Sequence, residues 1–352
     1  MSLGRGSHAA RTMAAAVVVA GGVKLASAML APFLLSLFIA AVTAPIVFYL
    51  RRRGFSDLLA ISLAILVDVL LIVGVTLVVA GSMTTFYQRL PEYQSRANEL
   101  LGDLTHFLAA NGFQASAAID EAFAPARMMS LVVDLLGALA AMASQSVIVI
   151  LTVAFLLIEI AFIQPKLAAV LADQKDVKVL ADAAREANTY LLVKTGVSIA
   201  TGILAGLSCA SFGLDFPLLW GLLAYLLNYI PNIGSFISAG PPILLALLTL
   251  GLGPALGITG AYLAIHIVIG NIIEPKITGD ALGLSALVVF LSVIVWGFLL
   301  GPIGALLSAP LTLIVKHWLA HTDDWAFVAT LLEPSGRVAQ RALEPSPESP
   351  PG

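Results

Sequence analysis

Long apolar runs, broken by short polar or proline-bearing stretches, set the pattern of this chain. A helix needs about 20 apolar residues to cross a hydrocarbon core, and runs of that kind fall at 13–31, 32–50, 57–82, 143–163 and 195–213. From Pro217 to Trp318 the apolar sequence continues almost without pause, interrupted at 228–235, 239–242, 251–254, 271–280 and 301–304. Several pieces between these interruptions are only about 14 to 20 residues long, which predicts discontinuous or re-entrant helices. The fold class that follows is all-α, a polytopic helical membrane protein with about eight helical regions.

Polar segments divide these runs. Residues 1–82 hold the N-terminal transmembrane helices, and 83–142 is an amphipathic helical segment, with Leu100, Leu101, Leu104, Phe107 and Leu108 at helical spacing. Such a segment suits the membrane face or the neighbouring subunits of a homo-oligomer, and equally a small cap with no part in transport. A transmembrane helix at 143–163, a helical linker at 164–194 and a bundle with broken helices at 195–318 complete the folded part. The tail, 319–352, turns to Pro, Ser, Glu and Arg from Glu333 on, a composition too poor in apolar residues to fold alone.

Composition agrees with a lipid environment. Apolar residues make up 59% of the chain and charged residues 11%, with a mean hydropathy of +0.99, against about 25% charged in a soluble domain. Membrane lipids are therefore its surroundings. A net charge of −3 leaves no basic excess for neutralising phosphates, so nucleic acid is excluded as a partner. The single cysteine, Cys209, has no second thiol and reads as a packing residue.

The positions of Lys and Arg orient the chain. Arg5, Arg11, Arg51, Arg52, Arg53, Lys166, Lys175, Lys178, Arg185 and Lys194 cluster in segments that belong in the cytoplasm. Between Thr84 and Ala140, Arg89, Arg96 and Arg127 face six carboxylates, so this segment belongs outside. Both termini are then cytoplasmic. Ala26-Ser27-Ala28 mimics a signal-cleavage site, but Lys24 interrupts the run before it and a second run follows at once, so the first span is expected to stay uncleaved.

Two interruptions carry the candidate chemistry. In Asn228-Tyr229-Ile230-Pro231-Asn232-Ile233-Gly234, Pro231 lacks an amide hydrogen and breaks or kinks a helix, freeing carbonyls near Leu227. Irregular backbone at membrane depth survives inside protein or beside a wet cavity. Asn228, Pro231, Asn232 and Gly234 are thus candidates for a substrate or ion path, the alternative being a solvated turn. In the second, Asn271, Glu274, Pro275 and Lys276 place a carboxylate and an ammonium on either side of a proline. That pair suits a gate, or simply a charged loop. Lys24, Asp68, Glu159 and His266 lie within apolar runs and are coupling or ion-pair candidates. Lys24 and Asp68 fall at similar depth, so they are expected to pair, whereas Glu159 sits near the interface and His266 reads more simply as a hydrogen-bonded packing residue. Ser198, Gly202, Gly206 and Ala210, four apart, make a flat face for close helix contact.

No Walker-type loop, HExxH pair, Cys/His cluster or hydrolase elbow is present, so the sequence calls for no cofactor or metal and reads as a transporter, not an enzyme. The two motif stretches, with Gly221-Leu222-Leu223-Ala224-Tyr225 before the first and the run Leu287 to Gly304 and Ser308 to Lys316 after the second, resemble the bacterial autoinducer-2 exporter family. That resemblance implies a multi-pass inner-membrane permease exporting the furanone-type signal autoinducer-2 or related small polar molecules. Some relatives are described as sodium or lithium to proton antiporters, which is the alternative; a membrane scaffold or sensor is a second. Asparagines and few carboxylates favour a small polar solute driven by a gradient. Reporter fusions at Arg53 and Gln174 should read cytoplasmic and one at Asn111 external; an external signal at Arg53 would overturn the orientation.

Overall fold

The computed structural model describes residues 17–111, 125–170, 174–231, 233–278, 284–320 and 331–333. Every regular element among them is helical. Helix α1, described over 17–25, ends in a turn at Ala26, and α2 (Ser27–Arg52) follows. The first break therefore lies at Ala26 and not ahead of Pro32, which is held within α2 together with Pro45. Transmembrane helices tolerate such prolines where the surrounding protein shields the backbone, and the Ser36 hydroxyl donates to the Pro32 carbonyl at 2.7 Å.

Helix α3 (Asp57–Ala110) begins at Ser56, whose hydroxyl oxygen accepts the Leu59 amide. It runs unbroken for 54 residues, about 81 Å at 1.5 Å per residue. The expected span and the first half of the amphipathic segment are thus one rod. After Ser82 the sequence becomes polar, which changes the solvent of the helix and not its backbone. Helix α4 (Pro125–Ser144) packs back along this arm through Phe86, Tyr93, Ala97, Met129, Val132 and Leu136. A 50° bend at Gln145 leads into α5 (Ser146–Val170). Helices α2, α3 and α5 share a second cluster built on Ala40, Ala44, Ala60, Ala64 and Val153. The molecule so far has a basic end, marked by Arg51, Arg52 and Arg53, and an arm end, where α3 projects.

Helix α6 (Gln174–Ser211) runs from the basic end to the arm end, so the linker expected at 164–194 leads into its span with no break at Lys194. After it, α7 (Pro217–Leu227) has 11 residues, about 16 Å, half of what a crossing requires. Its start is tied to the arm: Asp215 forms an ion pair with Arg89 at 2.6 Å and accepts the Tyr93 hydroxyl at 3.3 Å. Helix α8 (Ile233–Leu250) returns to the same end, where Arg96 donates to the Thr249 carbonyl at 3.5 Å. Helices α7 and α8 therefore form a re-entrant hairpin with its tip at Pro231.

Gly251 turns the chain into α9 (Leu252–Ile265), which continues as a π-helix (His266–Ile273) and then α10 (Glu274–Thr278) to the basic end. The interruption expected at 271–280 is helical as far as Thr278. Pro275 follows directly on the wider π-turn, in which the Glu274 amide donates to the Ile269 carbonyl, and the helix runs on through it.

Helix α11 (Ala286–Leu306) reverses at Gly301, whose φ of 70° and ψ of −154° favour glycine. Helix α12 (Ser308–Ala320) runs back beside it, and the Trp296 indole donates to Thr312 at 2.9 Å. Residues 331–333 clasp the feet of this second hairpin: the Ser285 amide donates to the Leu332 carbonyl, and Lys316 pairs with Glu333 at 3.3 Å. Entering from opposite ends, the two tips meet through Tyr229, Ile303, Leu306 and Leu307, with Ala31 of α2 beside them. Among the described residues, six helices are long and apolar enough to cross a membrane, or seven with α4 and α5 counted as one bent span.

Helices α6 and α7 touch at backbone distance. A Cβ at Gly202 would lie 2.7 Å from the Gly221 carbonyl oxygen, and one at Gly221 the same distance from that of Gly202. The small-residue face is real from Ser198 to Gly206, while Ala210 is exposed. Gly202→Ala should lower the thermal stability of the detergent-solubilised protein by about 1–3 kcal/mol. Gly74→Ala, where an added Cβ meets nothing within 4 Å, should not; equal losses would show that close packing is not the cause.

Candidate functional site

The tip of the α7–α8 hairpin is built by chain reversal inside the protein. Pro231 cannot donate to Leu227, yet the Leu227 carbonyl is not left bare: it accepts the Ile230 amide at 2.9 Å. Gly234 is buried so tightly that a Cβ there would overlap the Leu227 carbonyl oxygen at 1.7 Å. The carbonyl near Leu227 that the sequence suggested would be free is thus consumed within the turn. What reaches out of the tip is side chain.

Helix α6 meets that tip with a polar stripe. Lys194, Ser198 and Thr201 are spaced by four and three, on one face of the helix. The Asn228 amide donates to the Ser198 hydroxyl at 2.9 Å, and the Tyr229 hydroxyl donates to Thr195 at 2.8 Å. Tyr229 also stacks edge-on against Phe38 of α2, with ring centroids 5.2 Å apart. One turn toward the basic end, buried Lys194 and half-buried Glu274 form an ion pair that ties α6 to the start of α10. Lys194 is 4% exposed, far from a cytoplasmic linker residue.

A narrow polar crevice opens between these elements. It is lined by Thr201, Asn228, Ser235, Ser238, Tyr262 and His266, and its volume of about 20 Å³ has room for one water-sized centre. His266 opens the π-helix, so the wide turns of that segment carry its ring into the crevice beside Phe236, at 5.7 Å between centroids. The first interruption read from the sequence reaches the crevice through Asn228, while His266 enters it from the apolar run ahead of the second. Asn271, Pro275 and Lys276 are exposed on the far side of the π-helix and α10. Asn232 lies outside the described residues. On the other side of the tip is an apolar cavity of about 120 Å³, bounded by Phe38, Leu71, Ile72, Met142, Tyr225 and Tyr229.

The remaining candidates do not join the crevice. Lys24 donates to the Phe298 carbonyl and lies over its ring, 4.9 Å from the centroid. Asp68 accepts the Thr43 hydroxyl at 2.7 Å. The expected Lys24–Asp68 pair is absent, because α2 separates α1 from the face of α3 that carries Asp68. Glu159 is exposed on α5 toward the basic end. Sequence reasoning missed Lys194, Thr195, Tyr229 and the hydroxyls of α8. A signal for α6 was there in the 194, 198, 201 spacing, but Lys194 had been counted with the basic cluster beside it.

Comparison with known proteins places this architecture. The family model described as AI-2E family transporter matches residues 13–324. The AI-2 transport protein TqsA of Escherichia coli is 37% identical over 320 residues, covering 90% of this chain and 92% of that protein. YhhT of Escherichia coli is 34% identical over 338 residues, covering 96% and 97%. A protein of Haemophilus influenzae is 36% identical over 328 residues, covering 91% and 94%. With a match across nearly its whole length, and broken helices meeting inside an apolar bundle, this chain belongs to the AI-2E transporter family of multi-pass membrane proteins.

Proposed function

We propose that the protein exports a small polar signal molecule of the autoinducer-2 type across the bacterial inner membrane, driven by a gradient and not by ATP. The observation that carries this reading is the polar crevice at the tip of the α7–α8 hairpin, set between helices that are apolar elsewhere. Hydroxyls and an amide, with few charges, suit a neutral polyhydroxylated solute. The name of TqsA supports the substrate class. The clustering of Lys and Arg supports a cytoplasmic position for the basic end and for both termini.

In this reading the crevice is the place where the solute exchanges its water for Asn228, Ser198, Ser235 and Ser238. Its walls are the first hairpin, α6 and the α9–π-helix segment, and the second hairpin backs the tip from the opposite side, as the half-helices of transporters do. The crevice is closed in this conformation, with space for one water. Lys194 and Glu274 hold α6 to the segment below His266, so the crevice opens toward the cytoplasm only when that pair separates. An apolar contact could latch the same helices, but an ion pair can be released by hydration as the crevice fills.

Two measurements test this. Proteoliposomes loaded with autoinducer-2 should release it through the unaltered protein. Asn228→Leu should abolish most of that release while leaving expression and thermal stability little changed. Sodium flux with no autoinducer-2 flux would put cation antiport in place of export. For the latch, Glu274→Gln should destabilise the protein by about 3 kcal/mol, because it strands the buried Lys194 charge, Lys194→Met should cost less, and the double variant should recover much of the larger loss. Additive losses would show that the pair does not latch the helices.

A further inference from the structure

The mechanism above makes no use of Asp68, although its place in the fold is unusual. It lies 11 residues into α3, about 16 Å from the basic end along the helix. Its side chain is 4% exposed. One carboxyl oxygen accepts the Thr43 hydroxyl of α2 at 2.7 Å, while the other, Oδ2, is shut away from solvent with no hydrogen-bond partner. A carboxyl group in hydrocarbon requires a counter-charge, a wet cavity or a proton.

The elements packed around it supply no counter-charge. Helix α2 presents Thr43 at this level, and its nearest cation, Arg51, is two turns away and paired with Asp57 at 2.7 Å. Helix α5 contributes Val149, Val153 and Leu157 to the shared cluster, and its acid, Glu159, is exposed beyond them. On α3 itself the nearest charge is Asp57. Lys24 is engaged at Phe298. Among the described residues, no ion pair joins Asp68 to a cation.

A cavity lies within reach. Ile39 is one turn from Thr43, and Leu71 and Ile72 are one turn from Asp68, on the arm side in each case. All three line the apolar space of about 120 Å³ whose other wall is Tyr225 and Tyr229. The Asp68–Thr43 contact therefore lies one turn below the floor of a cavity that ends at the tip of the α7–α8 hairpin. A shift of that tip that enlarged the space would bring water within one helical turn of Oδ2.

We propose that Asp68 is a reversible proton-binding site that couples the transport cycle to the proton gradient. With the tip closed and the cavity dry, Oδ2 carries a proton and Oδ1 keeps the Thr43 bond. With the tip moved and the cavity hydrated, the O–H bond breaks, the proton passes to water and the carboxylate is solvated. Net chemistry is one proton bound and one released per cycle, with no change of oxidation state. The site deepens the gradient-driven reading given above, but its chemistry holds for any solute.

The test begins with the unaltered full-length protein in liposomes, treated with the hydrophobic carboxyl reagent dicyclohexylcarbodiimide at a series of pH values and read by peptide mass spectrometry. Asp68 should be modified at neutral pH, with yield falling as pH rises, while Asp57 and Glu159 report the behaviour of exposed acids. Thr43→Val should shift the pH at which modification is half complete. In Asp68→Asn liposomes, an imposed pH gradient should lose its power to drive autoinducer-2 efflux. Asp68 unmodified across the pH series, or Asp68→Asn liposomes that respond to the pH gradient as the unaltered protein does, would overturn the proposal. pH-dependent modification in a protein that moves no autoinducer-2 would keep the proton site and remove the exporter reading.

Discussion

Hydrocarbon offers no hydrogen bonds to a bare backbone, and this single constraint governs where the chain is allowed to break. The two reversals at membrane depth, at Pro231 and at Gly301, are both shielded by protein. The first is buried between α6, α2 and the second hairpin, with the Leu227 carbonyl bonded inside the turn. The second reverses at a glycine and is covered by the first. Neither tip could stand against lipid alone, so each serves as the protein environment of the other.

Function follows from the same constraint. A helix interior uses all its backbone groups, so polar chemistry in a membrane bundle comes from side chains and from the backbone of irregular turns. Here the end of α7, the start of α8 and the π-helix supply Asn228, Ser235 and His266. Helix α6 is continuous and adds Ser198 and Thr201 from a face whose glycines let the hairpin approach. The close contact of Gly202 with Gly221 thus has a second consequence: it brings the short Ser198 side chain within reach of Asn228. Bulkier residues on this face would separate the two helices and open that bond.

Charge is handled sparingly inside the bundle. Lys194 is matched by Glu274, Lys24 by a carbonyl and an aromatic ring, and Asp68 by a hydroxyl. The arm end shows the contrast, where Arg89, Arg96, Glu92 and Asp215 pair in exposed positions. Exposed pairs of that kind contribute about 0–1 kcal/mol. Their effect here is to fix where the first hairpin starts along the long helix.

Hydropathy alone determined that this protein is an all-α bundle in a membrane, and proline and glycine marked most of the places where its helices stop or turn. Pro231 and Gly301 were legible because their covalent geometry acts locally, whatever surrounds them. Asn228 was legible for a related reason, as an amide next to a break. The partners of these residues were not. Whether Pro32, Pro45, Pro91 and Pro275 end a helix or ride within one depends on neighbours that stabilise the chain around them, and all four ride within or at the start of one. Lys194 looked like one more cytoplasmic cation until the fold brought Glu274 against it across 80 residues of sequence. Depth likewise suggested that Lys24 would meet Asp68, but depth is one coordinate of three. Only the packing of α2 between them decided that each would find a different partner.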